Sequence, residues 1–203
     1  TFSFSEYKQA SINISLLDSQ PFLNVSLVDI VIKTNLVGVY NFHNIAAALA
    51  VGSFFNLTPQ QLKSGIEAYV PANNRSQIIQ QNSNQILLDA YNANPSSMEV
   101  ALENFKGTQN SNKLAILGDM FELGANSAKE HLEIVNQAIL TKGCVFYFIG
   151  SLFFEQKIAH STFLFFETFK ELQSHLEEIT ISNTSILIKG SRGMALERVL
   201  ELI

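Results

Sequence analysis

Three polar stretches that could hold a ligand each follow an apolar run typical of a buried strand. DAYNAN occupies residues 89–94, GDMFELG residues 118–124 and KGSRG residues 189–193. They supply carboxylates, amides, a phenol and cations, groups that bind polar partners rather than fill a core. In an open parallel sheet, ligands sit outside the carboxyl ends of the strands. We therefore expect the three stretches to share one edge of a sheet and to form a ligand site there.

The DAYNAN stretch runs into PSSM, and helix capping explains part of it. Asn94 suits the N-cap of a helix and Pro95 its first position, while Ser96 with Glu99 offers a competing capping box. Capping leaves three polar side chains without a structural reason: Asp89, Tyr91 and Asn92. These three are candidate ligand contacts.

The KGSRG stretch places two cations and a flexible glycine before GMALERVLELI, a segment predicted to be a helix. Free amide hydrogens and the helix dipole favour an anion at a helix amino terminus. Lys189, Ser191 and Arg192 are therefore candidate contacts to an anion. The alternative is a solvated basic turn without a ligand.

The GDMFELG stretch brings two acidic residues, Asp119 and Glu122, to the corresponding strand end. They could face a ligand, or they could simply favour the start of the next helix through its dipole. Gly118 and Gly124 are expected to allow a positive φ or a close approach of two chain segments. His131 falls beside the apolar face of the next predicted helix, where either a structural or a functional histidine fits.

The elements that must position these stretches differ between the two parts of the chain. Apolar bursts in the first 40 residues predict antiparallel hairpins, and two helices follow, the second capped by Thr58 with Gln61. Residues 70–75 form the predicted linker. Beyond it, apolar strands alternate with amphipathic helices, which predicts a doubly wound α/β fold with a mostly parallel sheet. The predicted domains are therefore residues 1–72 and 73–203.

Composition and charge narrow the class of protein. The chain has 203 residues, 47% of them hydrophobic, with a net charge of −5 and no basic block, so we expect no nucleic acid partner. The longest apolar run, residues 144–154, is shorter than the roughly 20 residues that span a bilayer, so we expect no membrane insertion. The single cysteine, Cys144, cannot form an internal disulfide and is expected to be buried, in a cytoplasmic protein.

Several motifs of nucleotide and metal chemistry are missing from the sequence. It contains no Gly-x-x-x-x-Gly-Lys-Ser/Thr phosphate loop and no Gly-x-Gly-x-x-Gly fingerprint after a strand. The four histidines show no paired metal-ligand spacing, so we assign no metal ligand: His43, His131, His160 and His175. Without further information, these residues predict a cleft that could bind an anion but that has no recognisable catalytic groups.

Four motifs together resemble the Mur ligases. These are GVYNFHNIAAALAV, DAYNANPSSM, LGDMFELG with the downstream His131, and ILIKGSRGMALERV, in the family's order and with similar spacing. The Tyr-Asn-Ala-Asn-Pro and Gly-Asp-Met-x-Glu-Leu-Gly stretches resemble the branch that adds D-Ala-D-Ala. The resemblance covers roughly residues 35–203.

The resemblance implies a three-domain enzyme of peptidoglycan synthesis, of which this chain would be a fragment. Residues 1–72 would be the end of the central ATPase domain, and residues 73–203 the Rossmann-like carboxyl-terminal domain. The implied reaction uses ATP and Mg²⁺: the carboxylate of UDP-N-acetylmuramoyl-tripeptide is phosphorylated, and the amine of D-Ala-D-Ala attacks the acyl phosphate. The phosphate loop, the catalytic residues and the Mg²⁺ ligands would belong to the missing domains, so the chain alone is expected to be inactive.

The resemblance also implies two groups of site residues. On the ATP side it places His43, Asn44, Arg75, Asp89, Tyr91, Asn92 and Asn94. On the side of the amino substrate it places Asp119, Lys189, Ser191 and Arg192. Two positions depart from the family pattern, because Asn74 replaces a glycine before the hinge arginine and Leu88 replaces an acid. Asparagine tolerates left-handed backbone geometry better than most residues, so the hinge can survive the first change.

Two other functions compete with this one. A ligase similar to folylpolyglutamate synthase would share the architecture, without an expectation of the tyrosine-asparagine and KGSR loops. A nucleotide- or peptide-binding module without catalysis would need no further domains.

Overall fold

The computed structural model describes residues 2–6, 10–19, 22–108 and 110–203. The chain divides into two compact units, Thr1–Ala72 and Asn73–Ile203. Within the described ranges, no helix is both long enough and apolar enough to cross a membrane.

The first unit combines a four-stranded sheet with two helices. Its strands, in spatial order, are β1 (Phe4–Ser5), β2 (Ile12–Asp18), β3 (Asn24–Leu27) and β4 (Ile30–Lys33). Its helices are α1 (Asn41–Phe54) and α2 (Pro59–Ala68). Strands β2, β3 and β4 pair antiparallel, as predicted, but β1 pairs parallel with β2, so the prediction of hairpins is wrong there. Apolar alternation marks a strand but carries no information about its direction.

The core of the first unit lies between one face of this sheet and the two helices. Alternate strand residues and one face of each helix form it: Ile14, Val25, Ile32, Phe42, Ile45, Leu49 and Leu62. The predicted capping box of α2 is confirmed, because the Thr58 side chain accepts from the Gln61 amide and the Gln61 side chain accepts from the Thr58 amide. Pro59 occupies the first turn, where its missing amide hydrogen costs nothing.

The second unit is built on a six-stranded sheet with the order β5-β6-β10-β7-β8-β9. The strands are β5 (Gln77–Gln81), β6 (Asn84–Asp89), β7 (Lys113–Gly118), β8 (Cys144–Ile149), β9 (Phe163–Phe166) and β10 (Ser185–Lys189). All neighbouring pairs are parallel except β5 with β6. The central strands are buried on both faces, which explains why they read as continuous apolar runs.

Helices cover both faces of this sheet, so the predicted doubly wound α/β fold is confirmed. They are α3 (Pro95–Lys106), α4 (Ser127–Ile139), α5 (Ser151–Phe154) and α6 (Phe169–Glu177). One face is covered by α3, α4 and α5, with buried contacts such as Met98, Ile134 and Phe153. The other is covered by α6 and the carboxyl-terminal segment, through Leu172 and Leu196.

Three local features differ from the sequence prediction. Strand β5 was not predicted, because its QIIQQ sequence holds only two apolar residues, although the Asn82-Ser83 turn after it is a hairpin signal. The short helix α5 was hidden inside the apolar run that contains β8. The predicted last helix is wrong: the chain forms two 3₁₀ segments, Arg192–Met194 and Leu196–Glu201, separated by Ala195 in a left-handed conformation.

Candidate functional site at the carboxyl edge of the sheet

The three polar stretches meet at one edge of the second unit's sheet, as predicted. Strand β10 lies between β6 and β7, and its last residue, Lys189, is in register with Asp89 on one side and Leu117 on the other. The parallel direction of the strands brings all three following loops to the same end. This edge is the candidate functional site.

A buried ion pair links the first and third stretches. The Lys189 Nζ lies 2.5 Å from the Asp89 Oδ2 and 3.3 Å from the carbonyl oxygen of Asn92, to which it also donates. The Lys189 side chain is 2% exposed and that of Asp89 is 17% exposed. The second oxygen of Asp89 accepts from the Ser76 amide at 3.1 Å. Two residues assigned to different substrates by the sequence are therefore direct partners.

The segment before β5 carries an exposed arginine stacked on a tyrosine. The Arg75 guanidinium carbon lies 3.7 Å from the centre of the Tyr91 ring, and both residues are exposed. Asn73, Asn74 and Ser76 around it have φ values of 63°, 59° and 47°. Asn74 is therefore in the left-handed conformation, which asparagine tolerates better than most residues.

The two asparagines of DAYNAN have different roles. Asn94 caps α3, because its Oδ1 accepts from the Ser97 amide at 2.8 Å, so the capping explanation is confirmed. Ser97 closes the capping box, rather than the predicted pair of Ser96 and Glu99. The Asn92 Oδ1 accepts from the Ala93 amide at 2.9 Å, and the side chain stays exposed. Asn92 is thus the asparagine that remains open to a ligand.

Ser191 ties the second and third stretches together. Its hydroxyl oxygen accepts from the Phe121 amide at 2.8 Å, and its own amide donates to the Asp119 carbonyl at 3.1 Å. The residue is buried. A side chain on Gly118 would lie 2.7 Å from Leu196 Cδ1, so this glycine serves the predicted close approach, while Gly124 has the predicted positive φ of 57°.

Asp119 caps α5, the short helix that follows β8 at the same edge of the sheet. Its two carboxylate oxygens accept from the amides of Leu152 and Phe153 at 3.1 and 2.9 Å, and the residue is 2% exposed. Burial raises the pKa of the carboxyl, against the opposing effect of these two hydrogen bonds. The substrate contact assigned to Asp119 stays a prediction, and the geometry favours a structural role.

His131 holds the GDMFELG loop through a hydrogen bond to the Met120 amide. It is fully buried; its Nδ1 donates to the Ser127 carbonyl at 2.7 Å and its Nε2 accepts from the Met120 amide at 3.0 Å. This arrangement needs the neutral ring, so the 3.9 Å approach to Asp119 is not a salt bridge. The structural alternative for His131 therefore fits the geometry.

Arg192 is the exposed cation of the KGSRG loop. Its side chain is 60% exposed and its Nη1 lies 3.0 Å from the Glu197 Oε1. Because a 3₁₀ segment of three residues follows instead of a helix, the argument from a helix amino terminus is wrong. Any anion at this loop would bind through the guanidinium rather than through a helix dipole.

The two predicted site residues of the first unit lie on α1. His43 and Asn44 are exposed near its start, and the Asn44 Nδ2 donates to the Asn41 Oδ1 at 2.9 Å. Asn41, which the sequence reasoning passed over, is buried and donates to the Val37 carbonyl. The repeat of asparagine three residues apart, on one face of a helix, was the available signal.

Metal chemistry has no visible support in the part of the chain that the structure describes. Among those residues, no three His, Cys, Asp or Glu side chains come close enough together to hold a metal ion.

The fold of the second unit and the polar loops at the carboxyl edge of its sheet define a Rossmann-like α/β domain with a candidate ligand site at its strand ends. A family model described as "Mur ligase, glutamate ligase domain" matches residues 74–192. This chain belongs to the Mur ligase family.

Relatives agree with this assignment. The UDP-N-acetylmuramoyl-tripeptide–D-alanyl-D-alanine ligase of Treponema pallidum is 32% identical over 180 residues, which are 85% of this chain and 39% of that protein. A crystal structure of MurF from Acinetobacter baumannii matches with a TM-score of 0.84 and 25% identity, over 98% of this chain and 46% of that one. MurF from Thermotoga maritima, solved in complex with ADP, shares the fold with a TM-score of 0.76 and 19% identity, over 98% and 47% of the two chains. The chain thus spans less than half the length of these relatives.

Proposed function

We propose that this chain is part of an ATP-dependent ligase that joins D-Ala-D-Ala to UDP-N-acetylmuramoyl-tripeptide in peptidoglycan synthesis. The observation that carries the proposal is the meeting of the DAYNAN, GDMFELG and KGSRG loops at one sheet edge, through the Asp89–Lys189 and Ser191–Phe121 contacts. The names of the relatives supply the two substrates that are joined. In the mechanism that the family resemblance implies, an acyl phosphate forms on the tripeptide, and the amine of the dipeptide displaces the phosphate.

On the nucleotide side, three of the proposed contacts in the second unit are exposed, Arg75, Tyr91 and Asn92, and the fourth, Asp89, is 17% exposed. A guanidinium suits a phosphate or a ribose oxygen, and a carboxylate suits ribose hydroxyls. His43 and Asn44 complete the proposed set, since the amide of Asn44 can both donate to and accept from adenine. Asn94 supports this loop as the cap of α3.

On the side of the amino substrate, Arg192 is the proposed contact for the terminal carboxylate of the dipeptide. Its exposed guanidinium can form two parallel hydrogen bonds to a carboxylate. Ser191 and Asp119 hold the surrounding loops through the amides that they bind. The work of these residues is to position the substrates and to balance their charges.

We propose that the rest of the ligase supplies the phosphate loop, which this sequence lacks, and the magnesium ligands. No step of the reaction is placed on a metal held by this chain. We also propose a cytoplasmic location, since the reaction consumes ATP.

The test is a ligation assay on the complete protein that contains this chain. ATP, Mg²⁺ and UDP-N-acetylmuramoyl-tripeptide are supplied with D-Ala-D-Ala, and in parallel with glutamate, with L-lysine, or with folate plus glutamate; the product is identified by mass spectrometry. We expect product with D-Ala-D-Ala alone. Ligation of glutamate to folate would replace the proposal with the folylpolyglutamate alternative. No ligation in any mixture would favour the binding module.

The isolated chain provides a second comparison. Because it lacks a phosphate loop, we expect it to release no phosphate above background in the same assay. Turnover by the isolated chain would contradict its assignment as one part of the catalytic machinery.

A further inference from the structure

We propose that Lys189 is a positioning residue for the nucleotide side of the site, where it orients Asp89 and the DAYNAN loop, and not a contact to the carboxylate of the amino substrate. The inference rests on the proposed function for the identity of the two substrates. It rests on the geometry of this chain for the role of the lysine.

The position of Lys189 in the sheet supports this role. Lys189 and Asp89 end adjacent parallel strands and are in register, so their side chains leave the sheet on the same face. The preceding pair in register, Ile188 and Leu88, is fully buried in the apolar cluster of the opposite face. Because successive side chains of a strand point to opposite faces of the sheet, the side chains of Lys189 and Asp89 lie together on the face opposite to Ile188 and Leu88.

The hydrogen bonds of Lys189 leave little capacity for a substrate. An ammonium has three hydrogens to donate, and this one uses two of them, on the Asp89 carboxylate and the Asn92 carbonyl. With 2% of its side chain exposed, Lys189 has almost no surface at which a second carboxylate could replace Asp89. The KGSRG loop already presents an accessible cation, Arg192, whose side chain is 60% exposed.

The contacts of Asp89 explain what Lys189 does for the nucleotide. One carboxylate oxygen is held by Lys189 and the other by the Ser76 amide, so the plane of the carboxylate is fixed before any ligand binds. The same ammonium holds the Asn92 carbonyl and hence the loop on which Tyr91 stacks with Arg75. Removing it should disorder the nucleotide side and leave Arg192 in place.

The test is steady-state kinetics of Lys189→Met in the complete ligase. Methionine keeps the length of the side chain and removes its charge. We expect the KM for ATP to rise at least about tenfold, since a charge-assisted contact is lost, and the KM for D-Ala-D-Ala to change less than about twofold. Lys113→Met is the matched control: Lys113 begins β7 at the opposite end of the sheet, so both constants should stay unchanged.

A second pair of variants covers the case in which Lys189→Met leaves Asp89 uncompensated and the protein does not fold. Asp89→Asn and the double variant Asp89→Asn with Lys189→Met remove the charge of Asp89 first. We expect the double variant to match Asp89→Asn in the KM for D-Ala-D-Ala and to differ from it, if at all, only by a higher KM for ATP, because the lysine acts through the Asp89 carboxylate and the Asn92 carbonyl. A further rise in the KM for D-Ala-D-Ala in the double variant would overturn the inference.

Other outcomes also decide the question. A rise in the KM for the dipeptide with an unchanged KM for ATP in Lys189→Met would return Lys189 to the amino-substrate side. Lower stability with both KM values unchanged would reduce it to a structural residue. If the wild-type ligase joins another amine, the proposed function fails. The KM for ATP and the KM for that amine can still be measured in Lys189→Met, and their comparison still tests the role of Lys189.

Discussion

Arg192→Ala in the complete ligase tests the proposed amino-substrate side most directly, because it separates binding from stability. In the folded chain, Arg192 is paired only with Glu197 among the described salt bridges, at 3.0 Å, with 60% of its side chain exposed. Exposed ion pairs of this kind contribute about 0 to 1 kcal/mol, so the free energy of unfolding should change by less than about 1 kcal/mol. A contact to the dipeptide carboxylate, by contrast, is a hydrogen bond to a charged group.

The expected loss in substrate binding follows from that difference. Hydrogen bonds to charged groups contribute about 1.5 to 3 kcal/mol, which corresponds to roughly a ten- to 150-fold change in an equilibrium constant. Arg192→Ala should therefore raise the KM for D-Ala-D-Ala by at least about tenfold and leave the KM for ATP nearly unchanged. Arg192→Lys should recover only part of the loss, because a point charge cannot reproduce the guanidinium fork.

Two further variants sharpen the assay, which measures initial rates at varied dipeptide and at varied ATP. Glu197→Gln removes the internal competitor for Arg192 and should lower the KM for the dipeptide by up to about fivefold, the equivalent of an exposed pair. Arg198→Ala is the matched control, because the Arg198 guanidinium is already engaged within the chain: it stacks on Phe169 and donates to the carbonyls of Met194 and Ala195. If Arg192→Ala folds normally and leaves dipeptide kinetics unchanged, the KGSRG loop is an ordinary basic turn.

Three predictions concern the isolated chain. Cys144 is buried and burial raises the pKa of its thiol to about 12, so at pH 8 a thiol reagent should label it on the order of 10³-fold more slowly than a free cysteine; rapid labelling would show that β8 opens readily. Gly150→Ala should lower the free energy of unfolding, measured in urea, by at least about 2 kcal/mol, because φ is 116° and the new methyl group would overlap the Asp119 carboxylate; a stable variant would refute that packing. His131→Phe should cost about 1 to 3 kcal/mol in the same assay, because the buried Met120 amide loses its acceptor, and an unchanged midpoint would mean that another group accepts from it.

Much of the fold could be read from the chain because it depends on short-range patterns. Apolar runs bounded by turn residues predicted β6, β7, β8 and β10, and their alternation with amphipathic helices predicted a doubly wound sheet. The caps at Thr58 and Asn94 follow from side chains that reach only three residues along the chain. Where the local pattern was weak or ambiguous, as in β5 and the 3₁₀ carboxyl terminus, the prediction failed.

The partners of the polar residues were decided by the tertiary structure alone. From the sequence, Asp89 and Lys189 are 100 residues apart and were assigned to different substrates, whereas the strand order β6-β10-β7 makes them an ion pair. Asp119 was likewise predicted to contact a ligand. In the structure its carboxylate accepts from two amides of α5, a helix that the sequence did not predict. A residue's type determines which bonds it can form, and the sequence lets us read that directly. Which of those bonds it does form depends on which strands lie side by side, and that is a property of the folded chain.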